Sequence, residues 1–537
     1  MRNRLSSLLA VVLMVWGTAD ACTNFMAGKL ATVDGSTLVS YAADSYSLYG
    51  FLRYQPAADH AVGSMRAIYD WDSNKYLGEI PQVAHTFSVV GNMNEYQLTI
   101  GETTFGGRAE LVDTTGVMDY GSLIYVALER CRTAREAIAC MTDLVREYGY
   151  YSEGESFTIA DPNEVWIMEM VGKGPNNKGA LWVATRIPDD CISAHANQAR
   201  ITQIDFRDEE NWLYAEDVID FAKEKGWFNG KKSEFSFSDT YNPLDFLGRY
   251  ICEARVWSFF RQVNNDMEQY LDYVMGKSDK RMPLYVKPNR KLSVQDFQHF
   301  MRDQYEGTPL DITQGTDAGP YHTKLRYGSL GFKVDSVQYW YERPTATQQT
   351  AWSFVAQMRG YMPDHIGGIF WFGLDDAATN LYIPMYCRMN AVPWCMDKRN
   401  GDLITYSSTS AFWAFNQVAN WAYSKYDAMV PDIRKQQSAW ESYFSTLVPA
   451  IDAAAAEMSP DDARAFLTQF SCEQAQAATE AWHRLFEYLL VKYLDGQEKK
   501  EANGAFLRTP YGESASPLRK PFPEEYLRKI APEVEHE

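Results

Sequence analysis

A cysteine stands at residue 22, directly after the tripeptide Ala19-Asp20-Ala21. A basic start precedes an apolar run over residues 5–16, which is too short for a stable membrane anchor. A basic start, a short apolar run and an A-x-A pattern are typical of a secretory signal peptide. We therefore expect residues 1–21 to be removed, so that Cys22 becomes the first residue of an exported protein, periplasmic or extracellular.

A cysteine at a new N-terminus carries its thiol and a free α-amine on one residue. The reference pKa is about 7.7–8.0 for an α-amine and about 8.5 for a cysteine thiol. The amine can therefore take the thiol proton near neutral pH, directly or through a water molecule. Nucleophile and base then come from one residue, which is the chemistry of an N-terminal nucleophile hydrolase.

Two other interpretations of Cys22 stay open on this stretch alone. Signal peptidase leaves some residue first, and a cysteine can stand there by chance. A lipoprotein, in which Cys22 is acylated and tethers the chain to a membrane, is the second alternative. Lipoprotein signals usually carry Leu at −3 and a small uncharged residue at −2, whereas this chain has Ala19 and Asp20 there.

Composition excludes several classes of function. The chain of 537 residues has a formal net charge of −19, and so strong a negative charge argues against binding nucleic acid. No second apolar run is long enough to span a membrane. Neither C-x-x-C nor H-E-x-x-H occurs, so a zinc site has little support and no cofactor is expected.

The eight cysteines include one pair that the spacing favours as a disulfide. Cys387 and Cys395 flank the short loop Asn390–Pro393, and an exported protein is free to form disulfides. With Cys22 set aside, seven cysteines remain, so at least one further thiol should stay unpaired.

The elements around Cys22 are predicted to form a hairpin. Residues 24–29 and 37–42 are predicted strands, and Asp34-Gly35 between them is a strong turn signal. Asp44 closes the second strand. A nucleophile at the start of a strand is held rigidly, whereas most chain termini fray.

The rest of the chain predicts an α+β protein, because hairpins come first and helices later. Helices are expected over 119–147 and 409–495, the latter including a helix from Pro460 to Leu494 with Ser459 as N-cap. We predict a catalytic domain over 22–405 with a mainly helical insertion near 209–300. A helical region over 406–496 and a charged, extended tail over 497–537 follow.

Several motifs resemble the secreted dipeptidase family of N-terminal nucleophile hydrolases, relatives of choloylglycine hydrolases and penicillin V acylases. The specific part is Cys22-Thr23, followed by Gly28-Lys29 and Asp34-Gly35-Ser36-Thr37. Similar stretches follow in order along nearly the whole mature chain: Gly149 to Asp161, Glu164 to Trp166, Ala194 to Ile201, Glu306 to Pro309, Gly319-Pro320, Gln357 to Trp371 and Ser410 to Trp413.

The resemblance implies an αββα sandwich, in which two antiparallel sheets pack face to face between helical layers. It implies amide hydrolysis through an acyl-enzyme on Cys22. By position, Asp44 would hold the α-amine or the thiol, and Asn94 and Asn197 would lie near the oxyanion hole. Arg255 would match an arginine near the nucleophile. Each has a purely structural alternative. Asp44 could cap the end of a hairpin, and Asn197 could be a turn residue. Asn94 could satisfy a loop backbone, and Arg255 could form a structural salt bridge on a helix.

The chain departs from the family pattern at one place. Many relatives have Arg-Asn three residues before the aspartate, where this chain has Tyr41-Ala42. Because Tyr41 cannot supply a positive charge, another group must tune the thiol, or the pH optimum or substrate has shifted. Glu153 and Glu155 are candidates to receive a substrate's ammonium group, although a solvated loop is the plainer interpretation. His195 is expected to be structural.

These observations predict an exported cysteine-type dipeptidase with a small peptide substrate. One alternative is an amidase for bile-acid or acyl-amino-acid amides. The other is a non-catalytic, peptide-binding lipoprotein anchored at Cys22. The preferred substrate and the oligomeric state do not follow from the sequence.

Overall fold

The computed structural model describes residues 22–327 and 330–531. The predicted signal peptide, residues 1–21, lies outside the described residues. In chain order the strands are β1 (Thr23–Ala27), β2 (Thr37–Asp44), β3 (Tyr54–Gln55), β4 (Ala58–Asp59), β5 (Met65–Tyr69), β6 (Tyr76–Pro81), β7 (His85–Thr86), β8 (Val89–Val90), β9 (Met93–Asn94), β10 (Thr99–Gly106), β11 (Gly154–Ala160), β12 (Val165–Gly172), β13 (Ala180–Ile187), β14 (Ile192–His195), β15 (Trp212–Tyr214), β16 (Tyr285–Val286), β17 (Gly331–Val334), β18 (Val337–Trp340), β19 (Thr350–Met358), β20 (Gly368–Leu374), β21 (Ile383–Tyr386), β22 (Glu501–Ala502) and β23 (Ala505–Phe506).

The helices are α1 (Tyr120–Arg130), α2 (Ala134–Tyr148), α3 (Asp220–Glu224), α4 (Phe237–Tyr241), α5 (Ala254–Val263), α6 (Leu271–Val274), α7 (Val294–Phe300), α8 (Asp364–Gly367), α9 (Ala411–Tyr423), α10 (Tyr426–Ala456), α11 (Pro460–Lys492) and α12 (Glu524–Ile530). A π-helical stretch, Gly248–Glu253, leads directly into α5. The predicted cap of the long C-terminal helix is confirmed, because the Ser459 side chain accepts a hydrogen bond from the backbone N–H of Asp462.

The predicted N-terminal hairpin is confirmed and lies inside a seven-stranded antiparallel sheet with the order β16-β14-β1-β2-β19-β20-β21. Gly35 at its turn has a φ of 81°, a left-handed conformation that favours glycine. Thr23 pairs with Ala42 and Asn24 with Tyr41 across the hairpin. Because residues opposite each other share a face, Asn24 and Tyr41 project from the same side of the sheet.

The second sheet has eight strands in the order β15-β13-β12-β11-β10-β9-β8-β3. It approaches the first sheet closely at Gly101, where a Cβ atom would come within 2.3 Å of Asn24 Oδ1. The Asn24 amide nitrogen donates to the Glu102 carbonyl oxygen at 2.6 Å. Glycine at residue 101 therefore permits the contact that brings β1 next to β10.

Helices cover the outer faces of both sheets. Leu123 and Val126 of α1 pack with Phe157 and Trp166 of the second sheet in one core cluster. On the other side, Phe25 of β1 stacks on Phe259 of α5, with ring centroids 4.3 Å apart. Phe25 and Phe259 belong to a second core cluster, which also contains residues of the C-terminal helices α9, α10 and α11. The predicted α+β sandwich with a mainly helical C-terminal part is thus confirmed.

Some elements were not predicted. The strand β19, which pairs with β2 on one side and β20 on the other, lies in a stretch where no strand was expected. The hairpin β5–β6 was also missed. Between residues 209 and 300 the helices are short and separated by loops, and two short strands, β15 and β16, join the edges of the two large sheets.

The expected disulfide between Cys387 and Cys395 is wrong. All eight cysteines fall within the described residues, and each is a free thiol. Cys387 Sγ lies against the Asp364 carbonyl oxygen at 3.5 Å, whereas Cys395 sits in a separate turn, Trp394–Met396. Pro393 directs the chain into that turn, so the two thiols meet different neighbours although they are close in sequence.

Within the described part of the chain, no helix is long and apolar enough to span a membrane. The same residues contain no group of three or more His, Cys, Asp or Glu side chains placed to hold a metal ion. The charged tail folds back on the molecule, since Glu501 pairs with Lys492 of α11 at 3.0 Å.

Candidate active site

Cys22 lies immediately before β1, at the edge of a cleft of about 1590 Å³. Its Sγ is 3.2 Å from the hydroxyl oxygen of Tyr41, and that hydroxyl donates to Glu102 Oε1 at 2.5 Å. The hairpin register explains the first contact, because Cys22 precedes Asn24 by two residues and Tyr41 is opposite Asn24. The Cys22 thiol, the Tyr41 hydroxyl and the Glu102 carboxylate are therefore linked by two consecutive hydrogen bonds.

Arg255 connects the start of β1 to the loop at residues 196–198. Its Nη1 donates to the Cys22 carbonyl oxygen at 2.7 Å and to Thr23 Oγ1 at 2.9 Å. Its Nη2 donates to the Ala196 carbonyl oxygen at 3.0 Å and to Asn197 Oδ1 at 2.9 Å. The structure thus brings together three of the residues singled out in the sequence, Cys22, Asn197 and Arg255.

Asn197 lines the cleft in a left-handed conformation, with a φ of 65°. Its amide nitrogen donates to the Thr104 carbonyl oxygen at 2.7 Å. Loop 196–198 is therefore held from two sides, by Arg255 and by the end of β10.

Asp44 is buried at the end of β2, next to the cleft. Its Oδ2 accepts from Arg343 Nη2 at 2.8 Å, and its Oδ1 accepts from Thr350 Oγ1 at 2.6 Å. These hydrogen bonds join β2 to the segment that leads into β19. The carboxylate holds Arg343 at the cleft that Cys22 and Arg255 also line, so two guanidinium groups belong to the site although residue 41 is a tyrosine.

Asn94 is placed elsewhere. Its amide nitrogen donates to the carbonyl oxygens of Leu128 and Cys131 at 2.8 and 2.7 Å, at the end of α1. The described residues that line the cleft include Asn92 but not Asn94. The contacts of Asn94 hold a turn and a helix end together, and the structure does not bring its side chain to Cys22.

The thiol of Cys22 is strongly shielded from water. Burial raises its pKa well above the ordinary value, and the charges of Glu102 and Asp44 raise it further, while hydrogen bonds with Tyr41 and the Asp44 backbone oppose the shift. The thiol is therefore protonated at neutral pH, and a base is needed to generate the thiolate.

His195 does not take part in this arrangement. It is fully buried between the two sheets, and Thr103 Oγ1 and Thr158 Oγ1 each hydrogen-bond one of its ring nitrogens at 2.7 Å. This position agrees with the structural role expected from the sequence.

Sequence reasoning missed Glu102 and Arg343 as site residues. Tyr41 was noted only as a departure from the family pattern. Nothing local marks Glu102 or Arg343, because each reaches the site through pairing with a residue far away in the chain. The position of Tyr41 opposite Asn24 was a usable signal, since a hairpin register can be read from the turn.

A half-buried cysteine thiol at the start of a strand, in a helix–sheet–sheet–helix sandwich and at the edge of a large cleft, is the arrangement of a cysteine hydrolase. The model of "Peptidase family C69" matches residues 54–439. The chain belongs to this family of cysteine peptidases, and the prediction of a peptidase is confirmed. The matched segment begins after Cys22 and Asp44.

Several curated relatives are similar to this chain over most of its length. A probable dipeptidase of Latilactobacillus sakei is 27% identical over 495 residues, covering 88% of this chain and 95% of the relative. A probable dipeptidase of Salmonella dublin is 25% identical over 405 residues, covering 71% of this chain and 84% of the relative. Dipeptidase A of Lactobacillus helveticus is 24% identical over 394 residues, covering 69% and 76%.

Proposed function

We propose that this protein is an exported dipeptidase that cleaves the peptide bond through an acyl-enzyme on Cys22. The observation that carries the proposal is the Cys22 thiol at the cleft, with its own carbonyl group anchored by the buried Arg255. The names of the relatives support a dipeptide substrate. The sequence ahead of Cys22 supports export and exposure of its α-amine.

The charges of the cleft suit a zwitterionic substrate. Most acidic side chains come from the loop at 70–72, from β10 and from residues 153–155, whereas every basic side chain except that of Arg255 comes from the segment 324–343. The charged residues that line the cleft are Asp44, Asp70, Asp72, Glu102, Glu153, Glu155, Asp245, Arg255, Lys324, Arg326, Lys333, Glu342 and Arg343. A dipeptide carries an ammonium group and a carboxylate only a few bonds apart, so such a cleft can engage both of its ends.

The reaction would start with proton transfer from the thiol to the free α-amine of Cys22. Because the thiol pKa is raised, this transfer is needed before attack. Sγ then forms a bond to the substrate carbonyl carbon, and the carbonyl electron pair moves onto oxygen. The Asn197 amide and backbone N–H groups at the cleft would stabilise that oxyanion.

Collapse of the tetrahedral intermediate breaks the C–N bond, and the α-ammonium gives its proton to the leaving amino group. The C-terminal amino acid departs, and the other residue stays bound to Sγ as a thioester. Water then attacks the thioester with the α-amine as base, which releases the second amino acid and restores the thiol.

The test uses residues 22–537 produced with Cys22 as the first residue, beside the same protein carrying Cys22→Ala. We expect hydrolysis of unblocked dipeptides by the first protein and a loss of roughly 10³-fold or more in the variant, as for removal of a nucleophile. Near-full turnover by Cys22→Ala would overturn the mechanism. Preferential hydrolysis of conjugated bile acids or acyl-amino acids would overturn the substrate class.

Export is tested separately on the natural full-length chain. N-terminal sequencing and intact mass of the protein from the extracytoplasmic fraction should show an unmodified Cys22 at the N-terminus. A lipid-modified Cys22 would support the tether, and retention of residues 1–21 would contradict the proposed processing.

A further inference from the structure

Two glutamates, Glu102 and Glu155, form a buried pair on neighbouring strands of the second sheet. Glu102 is 5% exposed and Glu155 is 0% exposed, and both line the cleft. Glu102 Oε1 accepts from Tyr41, and Glu155 Oε1 accepts from Thr104 Oγ1 at 3.0 Å. The second carboxyl oxygen of each, Oε2, receives no hydrogen bond from an N–H or hydroxyl donor of the described residues, and the two carboxyl groups face each other instead.

An unpaired carboxylate buried in protein is costly, so this pair calls for a positively charged or proton-bearing partner. Burial raises the pKa of Glu155 well above its ordinary value, and so do the charge of Glu102 and the hydrogen bond between the two carboxyls. A positively charged group beside the pair would relieve the repulsion between the two carboxyl groups, and one ammonium group meets that requirement.

One member of the pair, Glu102, lies close to the Cys22 thiol. Glu102 Oε1 is separated from Cys22 Sγ by only two hydrogen-bond lengths, through the Tyr41 hydroxyl. In a dipeptide the α-nitrogen is two covalent bonds from the carbonyl carbon that the thiol attacks. When that carbon is in contact with Sγ, the α-ammonium falls within reach of the glutamate pair.

The geometry points to Glu102 and Glu155 as the site for the α-ammonium group of the substrate, so that the enzyme selects peptides with a free N-terminus. This inference rests on the proposed dipeptidase function and adds the group that the substrate must carry. A basic side chain on the substrate is a less suitable occupant, because its charge lies several bonds further from the scissile carbonyl group.

The test compares L-alanyl-L-alanine with N-propionyl-L-alanine, which has the same peptide bond and side-chain carbon atoms but no amino group. We expect the wild-type enzyme to prefer the free dipeptide by roughly 100-fold in kcat/KM. Glu155→Gln keeps the shape of the side chain and removes one of the two carboxyl groups that the ammonium group would face. It should lower kcat/KM for the free dipeptide roughly 10- to 100-fold, mainly through KM, and leave the propionyl compound unchanged.

Glu147→Gln is the control, because Glu147 is exposed on α2 and is not among the described residues that line the cleft. This variant should leave kcat/KM for both substrates unchanged. A thermal melt of both variants checks that they are folded. Unaltered discrimination in a folded Glu155→Gln protein would overturn the inference while the dipeptidase function stands. If the wild type hydrolyses neither compound nor any other free dipeptide, the proposed function itself fails.

If Glu155→Gln does not fold, the wild-type enzyme still tests the inference through inhibition. L-Alaninol carries the ammonium group, and its N-acetyl derivative does not. We expect at least a tenfold lower inhibition constant for L-alaninol. Equal inhibition by the two compounds would overturn the assignment.

Discussion

At the scale of single residues, Tyr41 is in contact with the Cys22 thiol, at the position where the family resemblance implied an arginine. Its hydroxyl lies between Cys22 Sγ and Glu102 Oε1. Tyr41→Phe should lower kcat/KM for dipeptides roughly 10- to 100-fold, as expected for loss of a positioned hydrogen bond next to a charged group. It should also move the alkylation of Cys22 by iodoacetamide to higher pH, because the hydrogen bond with Tyr41 lowers the thiol pKa.

The control for this prediction is Tyr46→Phe, which changes another tyrosine at the cleft, one that is 55% exposed. Its kcat/KM and alkylation profile should match those of the wild type. An unchanged profile and unchanged kcat/KM in Tyr41→Phe would show that the phenol is only packed beside the thiol.

His195 gives a prediction about stability and pH. Burial first, and then the charge of Arg200, lower its pKa from an ordinary value of 6.5 to about 3. Between these values the unfolded chain binds a proton that the folded protein excludes. The contribution of His195 to stability is therefore complete above pH 6.5 and is lost as the pH falls toward 3, by at most about 1.4 kcal/mol per pH unit.

His195→Gln cannot take up that proton and can still hydrogen-bond Thr103 and Thr158. Chemical denaturation at pH 7, 6, 5 and 4 should give a shallower loss of stability for this variant than for the wild type. The exposed His85→Gln should follow the wild-type curve. Parallel curves for His195→Gln and the wild type would mean that His195 is protonated in the folded protein.

At the scale of secondary-structure elements, the ion pair between Asp44 and Arg343 joins β2 to the segment before β19. Both side chains are almost fully buried, with exposures of 0% and 2%. Asp44→Asn leaves the guanidinium without its charged partner, and removing one member of a buried pair costs about 3–5 kcal/mol. We expect a loss of about 3 kcal/mol in the free energy of unfolding and a fall of roughly 10²-fold in kcat/KM.

A double-mutant cycle with Arg343→Met measures the interaction energy between Asp44 and Arg343 apart from their other contacts. The double variant should be less destabilised than the sum of the two single variants by more than about 1 kcal/mol. Additive losses in stability would show that the pair contributes no coupling. Full activity in Asp44→Asn would show that Asp44 is only a structural tie between strands.

At the scale of the whole molecule, the proposed mechanism predicts that activity depends on where the mature chain begins. Strand pairing starts at Thr23, and Arg255 holds the Cys22 carbonyl group, so the fold positions Cys22 without using its α-amine. A Gly-Ser extension ahead of Cys22 turns the amine into an amide that has no useful basicity. We expect roughly 10²-fold or greater loss of dipeptide hydrolysis with little change in Tm.

The comparison is residues 22–537 with a free Cys22 against the same protein with the extension still attached. Cleaving the extension with a protease that leaves Cys22 first should restore activity in the same preparation. Full activity before cleavage would show that another group serves as the base.

Local features of the structure could be predicted from the sequence because they depend on neighbouring residues. Asp34-Gly35 specified the turn that fixes the register of Cys22 and Tyr41, and Ser459 specified the start of α11. The pattern of hairpins followed by long helices predicted the α+β class. The family resemblance of the segments that begin at Cys22 and at Asp34 added the prediction that two sheets lie between two helical layers.

The chemistry around the thiol was decided only by the tertiary structure. Glu102 reaches Tyr41 because Gly101 lets the two sheets approach, and Arg343 reaches Asp44 because β19 inserts beside β2. Asn94 has a side chain suited to donate a hydrogen bond in an oxyanion hole, yet its amide group donates to carbonyl oxygens at the end of α1. Such contacts join residues far apart in sequence, and sequence periodicity shows which face of a strand is buried but not which distant side chain meets it there.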